Sequence, residues 1–187
     1  MEITKKNNFV EFLKKFWVHT IVGIMIFAIA LTFALAASLN RATPTSVETL
    51  LFKLPMENAV VIKDFSNTQL QNNETLNQWE AHLAIDVTSE NSDVFAVLEG
   101  QVIDSTYDYL EGNTLTIKHS NGFVSKYSSL SSEELVKKGE FVRAGEKIGK
   151  VSESGAGESK MGPHLHFELQ LHDKLVDPND YLDLQSK

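Results

Sequence analysis

From Ala59 onward the sequence breaks into short runs in which apolar and polar residues alternate, and this period of two is what most narrows the fold. AVVIKDF, HLAIDV, VFAVLEGQVI, NTLTIKH, GFVSKYSSL, EFVRAGEKIGKV and HLHFELQL each read as a strand with one face toward a core. Turn residues separate them, at Glu111-Gly112-Asn113, Asn121-Gly122 and Lys138-Gly139-Glu140. Many short strands at close spacing predict an all-β domain. One helical turn is expected at Ser131–Val136 (SSEELV), where a serine precedes glutamates at capping spacing. The stretch KKGEFVRAGEKIGKV also fits a small lipoyl-like sandwich, but no exposed hairpin tip offers the lysine such a domain modifies.

Ahead of the strands, Val18–Leu39 carries no Asp, Glu, Lys or Arg. As a helix rising about 1.5 Å per residue it covers roughly 30 Å of hydrocarbon, enough for one crossing. Lys5, Lys6, Lys14 and Lys15 precede it and a lone Arg41 follows, so the charge bias sets the N-terminus in the cytoplasm. A cleaved signal peptide is the rival, since Ala34-Leu35-Ala36 resembles a cleavage site, yet the run exceeds the roughly 7–15 residues of a signal core. The expected organisation is residues 1–17 in the cytoplasm, 18–39 across the membrane, 40–58 as a tether and 59–187 as an extracytoplasmic domain. Within the tether, Leu50, Leu51, Phe52 and Leu54 form a short apolar docking patch.

The chain has no cysteine, so the outer domain folds without disulfides and any metal must sit on His, Asp or Glu. A formal net charge of -8 argues against a nucleic-acid role. Among the six histidines, His164 and His166 stand one residue apart in GPHLHFEL, so in a strand they share a face with Glu168 while Leu165, Phe167 and Leu169 share the other. HLAIDV alternates likewise, with Leu83, Ile85 and Val87 expected inward and His82, Ala84 and Asp86 opposite. In a straight strand His82 and Asp86 are roughly 13 Å apart at their α-carbons, so joint ligation of one ion requires a bend near Leu83 and Ala84. With that bend, His82, Asp86 and one histidine of the pair make an open, three-ligand zinc site with water in the fourth position. Spacing leaves open which histidine of the pair ligates. His119 in NTLTIKH is a lesser candidate for proton transfer, and His172 beside Asp173 reads as a solvated turn. Trp79, Tyr107, Tyr109 and Tyr127 read as core or rim aromatics, and Gly155–Lys160 (GAGESK) as a mobile turn, since it lacks the Lys-Ser/Thr of a phosphate loop.

HxxxD at His82–Asp86, GPHLHFEL at Gly162–Leu169 and the intervening VKKGEFVRAGEKIGKV resemble the LytM or lysostaphin-type zinc endopeptidases that cut peptidoglycan cross-bridges, over about Val60 to Leu182. The resemblance implies an antiparallel β-sheet domain, Zn2+ held by His82, Asp86 and His166, and His164 as a catalytic histidine beside it. The family also carries Tyr-x-His-Leu, whose histidine assists the chemistry; here the string is Tyr127-Ser128-Ser129-Leu130, so Ser129 replaces that histidine. Imidazole moves protons near neutral pH and a serine hydroxyl does not, so loss of such a group costs about 10²- to 10⁴-fold. The single span, NETLNQWEAHLAIDV and YSSL resemble the stage II sporulation protein Q group within that family, in which Tyr-x-Ser-Leu is usual. That likeness implies a forespore-membrane scaffold, with weak or no peptidase activity, that pairs across the intermembrane space with a stage III sporulation AH-like membrane protein during engulfment. An active murein endopeptidase is the alternative the same motifs allow.

Overall fold

The computed structural model describes residues 3–39 and 51–186. It divides into two compact units, Met1–Thr49 and Leu50–Lys187. The first unit is the helix α1 (Ile3–Leu39). Its segment Lys14–Thr32 is long and apolar enough to cross a membrane, and Phe16, Trp17 and Ile21–Leu31 offer no packed face, which suits lipid. The first part of the expected tether, residues 40–50 with Arg41 and Leu50, lies outside the described residues.

The second unit is built of strands β1 (Val60–Lys63), β2 (Ser66–Asn73), β3 (Gln78–His82), β4 (Ile85–Thr88), β5 (Asp93–Phe95), β6 (Gly100–Asp108), β7 (Gly112–His119), β8 (Phe123–Leu130), β9 (Phe141–Val142), β10 (Lys147–Lys150), β11 (Leu165–Leu171), β12 (Lys174–Val176) and β13 (Gln185–Ser186). The main sheet has nine strands in the order β13-β1-β4-β11-β8-β7-β6-β9, with β12 also on β11, and every pairing is antiparallel except β1 with β13. β2 and β3 form a separate hairpin, and β5 pairs with β10. The alternation in the sequence decides the inner face: Ile85 and Val87 of β4, Leu165, Phe167 and Leu169 of β11, Tyr127 of β8 and Leu115 and Ile117 of β7 are all fully buried. Val94, Ala96, Val97 and Ile148 from the β5–β10 region complete the same cluster.

Residues 51–58 belong to this folded unit. Lys53 N donates to Val97 O at 2.8 Å, Pro55 O accepts from Phe95 N at 2.8 Å, and Met56 is buried. Phe52 stacks edge-on against Phe123 at 5.2 Å, whereas Leu51 of the expected docking patch is exposed. The expected helical turn at Ser131–Val136 does not form. Ser131 N donates to Lys150 O and Val136 N to Ile148 O, which hold the segment open alongside β10, and Glu134 takes a positive φ of 58°. His172 and Asp173, with φ of 51° and 63°, make a tight exposed turn between β11 and β12.

Candidate metal centre

The register of four neighbouring strands assembles the site. β4 pairs with β11 so that Asp86 faces His166, β1 sets Lys63 opposite Asp86, and β8 sets Ser128 opposite His166. Directly opposed residues point to the same face, so one polar row crosses a sheet whose other face is core. Thr114 Oγ1 extends the row to β7 by bonding Ser128 Oγ at 3.2 Å.

His82 joins the row through a break in the chain. β3 ends at His82 and β4 begins at Ile85, and the bend at Leu83–Ala84 brings His82 Nε2 to 3.2 Å from Asp86 Oδ2. The bend resets the alternation: Leu83, expected inward, is exposed, and Ala84 takes the buried place. In β11 the expected alternation holds, with Leu165, Phe167 and Leu169 buried and His166 and Glu168 on the other face. His164 sits just before that strand and is 3% exposed.

Backbone carbonyls fix two of the imidazoles. His82 Nδ1 donates to Asp64 O at 2.9 Å and His164 Nδ1 to Gly162 O at 2.8 Å, because a carbonyl oxygen only accepts. Each ring then turns its Nε2 into the site. His82 Nε2, Asp86 Oδ2 and His164 Nε2 are buried with no hydrogen-bond partner. His82 Nε2 and Asp86 Oδ2 face one another at 3.2 Å, a spacing that a shared cation, metal ion or proton, satisfies, and buried polar atoms left alone cost about 1–3 kcal/mol each. The donor set of imidazole nitrogens and carboxylate oxygens, with no thiolate, suits zinc, so the residues present fit the metal that the sequence motifs imply.

Glu158, from the loop read as a mobile turn, belongs to this cluster. Its carboxylate lies 3.0 Å from His166 Nδ1, 3.5 Å from His164 Nε2 and 2.6 Å from Lys63 Nζ. One ligand atom each from His82, Asp86, Glu158 and His166 lie within 4.8 Å of one another. The loop is pinned: Ala156 N donates to Tyr109 O, Gly157 N to Leu110 O, Asn73 Nδ2 to Gly157 O and Lys160 N to Thr75 Oγ1. A glycine-rich loop gives no periodic signal; the only clue in the sequence is an acidic residue six positions before His164.

Without a metal, protons do the balancing. Burial disfavours a charge on His166, but hydrogen bonds to Asp86 and Glu158 outweigh it and push its pKa up to about 10. Burial likewise opposes the charge on Asp86 and on Glu158, yet hydrogen bonds to the surrounding histidines hold both carboxyls below their ordinary values. Burial also works against protonation of His164, and contact with Glu158 and Asp86 again reverses it upward.

A cleft of about 380 Å³ opens over the cluster, lined by His82, Leu83, Glu158, His166, Glu168 and Ser129 among others. Ser129 therefore stands at the mouth of the same site, with a positive φ of 62° and its N–H bonded to Glu111 O at 2.8 Å. Of the other sequence candidates, His119 lies outside the cluster: burial lowers its pKa, its Nδ1 donates to Glu99 O at 2.9 Å and its Nε2 meets Ser125 Oγ at 2.7 Å. Tyr127 is core, while Trp79, Tyr107 and Tyr109 are exposed.

Residues 80–178 match the family model for peptidase family M23. The peptidoglycan DD-endopeptidase ShyC of Vibrio cholerae is 38% identical over 93 residues, 49% of this chain and 21% of that protein. Stage II sporulation protein Q of Bacillus subtilis is 28% identical over 137 residues, 68% of this chain and 48% of that protein. A crystal structure of a SpoIIIAH and SpoIIQ complex aligns with a TM-score of 0.62 at 26% identity, covering 70% of this chain and 99% of the matched chain. The chain thus spans about half or less of the length of these curated relatives.

Proposed function

The chain belongs to peptidase family M23, and from that membership we propose that it is a membrane-anchored, zinc-binding scaffold with weak or no peptidase activity. The carrying observation is His82 Nε2 facing Asp86 Oδ2 at 3.2 Å in a buried site, neither atom hydrogen-bonded elsewhere, an arrangement that suits a shared cation. His82, Asp86 and His166 hold the zinc, and His164 stands beside it. Bound there, zinc would polarise a carbonyl and acidify water. The chain's own residues supply little of the remaining chemistry. Ser129 at the cleft mouth offers a hydroxyl where proton transfer needs an imidazole, and His119 is engaged elsewhere in the fold.

The organisation follows the sequence: residues 1–17 cytoplasmic, 18–39 across the membrane, and the β unit outside. The likeness to stage II sporulation protein Q, and to a structure of that protein in complex with SpoIIIAH, supports a role between forespore and mother-cell membranes with a stage III sporulation AH-like protein as partner. Metal analysis of the purified chain should find about one zinc per molecule, lost in His82→Ala; a metal-free wild type would end the zinc reading. Titration of the outer unit against a stage III sporulation AH-like ectodomain tests the partner, and absence of a complex would end that part.

A second reading, an active murein endopeptidase, is favoured by one observation: His164 keeps an unpartnered Nε2 aimed into the site. There His164 would carry proton transfer alone. Incubation with purified cell wall decides between the two, because released cross-bridge fragments that vanish in His164→Ala would overturn the scaffold reading.

A further inference from the structure

We infer that Glu158 is a fourth protein ligand of the metal, latched by Lys63, so that the centre is closed where a hydrolytic centre keeps a water. This deepens the zinc reading above and rests on it. Structural zinc sites have four protein ligands, and catalytic ones have three plus an open position. His82, Asp86 and His166 supply three donors. The Glu158 carboxylate lies 3.8 Å from His82 Nε2 through Oε1 and 3.0 Å from His166 Nδ1 through Oε2, and it lines the cleft together with both histidines. Donor atoms around one zinc sit at about 2.0–2.2 Å from it, which places them roughly 3.3–3.6 Å from one another. The four donor atoms lie within 4.8 Å of one another, so a modest inward shift reaches that arrangement.

Two features show that the carboxylate is delivered to this position rather than passing through it. Lys63, opposite Asp86 on β1, holds Oε1 at 2.6 Å and leaves Oε2 turned to His166 and His164. The loop behind it has one seating. A β-carbon on Gly155 would come within 2.9 Å of Leu110 O and of Ser129 Oγ, and one on Gly157 within 3.0 Å of Leu110 O, so the backbone lies directly against the β6–β7 turn. Charge agrees: the Asp86 and Glu158 carboxylates together match the two charges of the ion.

The test uses the full chain in detergent, stripped of metal and loaded with Co2+, whose visible absorption reports the number of ligands. Azide, which enters open positions, should leave the wild-type spectrum unchanged. In Glu158→Ala and the isosteric Glu158→Gln, azide should shift the spectrum, and affinity measured by chelator competition should fall at least about tenfold, the lower bound for losing even a supporting contact. An azide response in the wild type, which needs no variant to fold, would overturn the inference and leave the zinc reading standing, as would wild-type affinity and spectrum in both variants. A wild type that takes up no metal would sink both.

Discussion

Tyr127→Phe isolates the polar thread that runs through the core behind the metal strand. The ring packs edge-on against Phe167 at 5.1 Å, and Phe167 lies between His166 and Glu168 in β11, so removing only the hydroxyl leaves that packing in place. What it removes is the acceptor for Val97 N–H, at 2.9 Å, and the contact with Ser125 Oγ, at 3.1 Å. Val97 and Ser125 are both fully buried, so no water replaces the lost partner, and an orphaned buried donor costs about 1–3 kcal/mol. The void is one oxygen atom, too small to add a large cavity cost. A domain of about 140 residues unfolds with an entropy near 0.3 kcal/mol/K, so the expected fall in Tm is about 3–10 °C. Thermal unfolding of Leu50–Lys187 with and without the substitution measures it, and in urea the midpoint should fall while the denaturant slope does not change. An unchanged midpoint would refute the claim that this hydroxyl satisfies the Val97 amide. A loss well above about 4 kcal/mol would refute the separation of hydroxyl from packing.

Two further outcomes can be checked. Burial depresses the His119 pKa below its ordinary 6.5, so its share of stability is complete above that pH and is lost as pH falls through the lower folded value; the urea-midpoint advantage of wild type over His119→Gln should shrink below about pH 6.5, and a constant gap would refute the shift. Ser129→His returns an imidazole to the cleft mouth but leaves Glu158 in place, so it alone should release no cell-wall fragments, whereas Ser129→His with Glu158→Ala should, by about 10²- to 10⁴-fold over the Glu158→Ala variant; equal release by the single and double variants would refute closure by Glu158.

The sequence is legible where burial is one-sided. β4 (IDVT) and β11 (LHFELQL) alternate apolar with polar residues because their apolar side chains enter the core, and Asp86 of HxxxD and His166 of HxH ride on those two strands. Even the need for a bend at Leu83–Ala84 follows from strand length, since His82 and Asp86 cannot meet otherwise. The β2–β3 hairpin is silent in the sequence because SNTQLQNN and QWEAH are mostly exposed and have no apolar face to alternate. SSEELV carries a capping pattern, yet cross-strand bonds from Ser131 and Val136 to β10 override a weak local preference. Glu158 is the costliest omission. Its place is decided by how a glycine-rich loop seats on the β6–β7 turn and by a lysine 95 positions away, neither of which leaves a periodic trace.

The polar row from Lys63 through Asp86 and His166 to Ser128 ties the centre to sheet alignment rather than to any one loop. Because neighbouring positions in a strand face opposite ways, a single inserted or deleted residue in β4 or β11 would rotate a carboxylate or an imidazole into the oily side and bring Val87 or Phe167 out in its stead. Length variation is therefore better tolerated at a hairpin tip such as His172–Asp173, and the interior of those strands can change in letter but not in count.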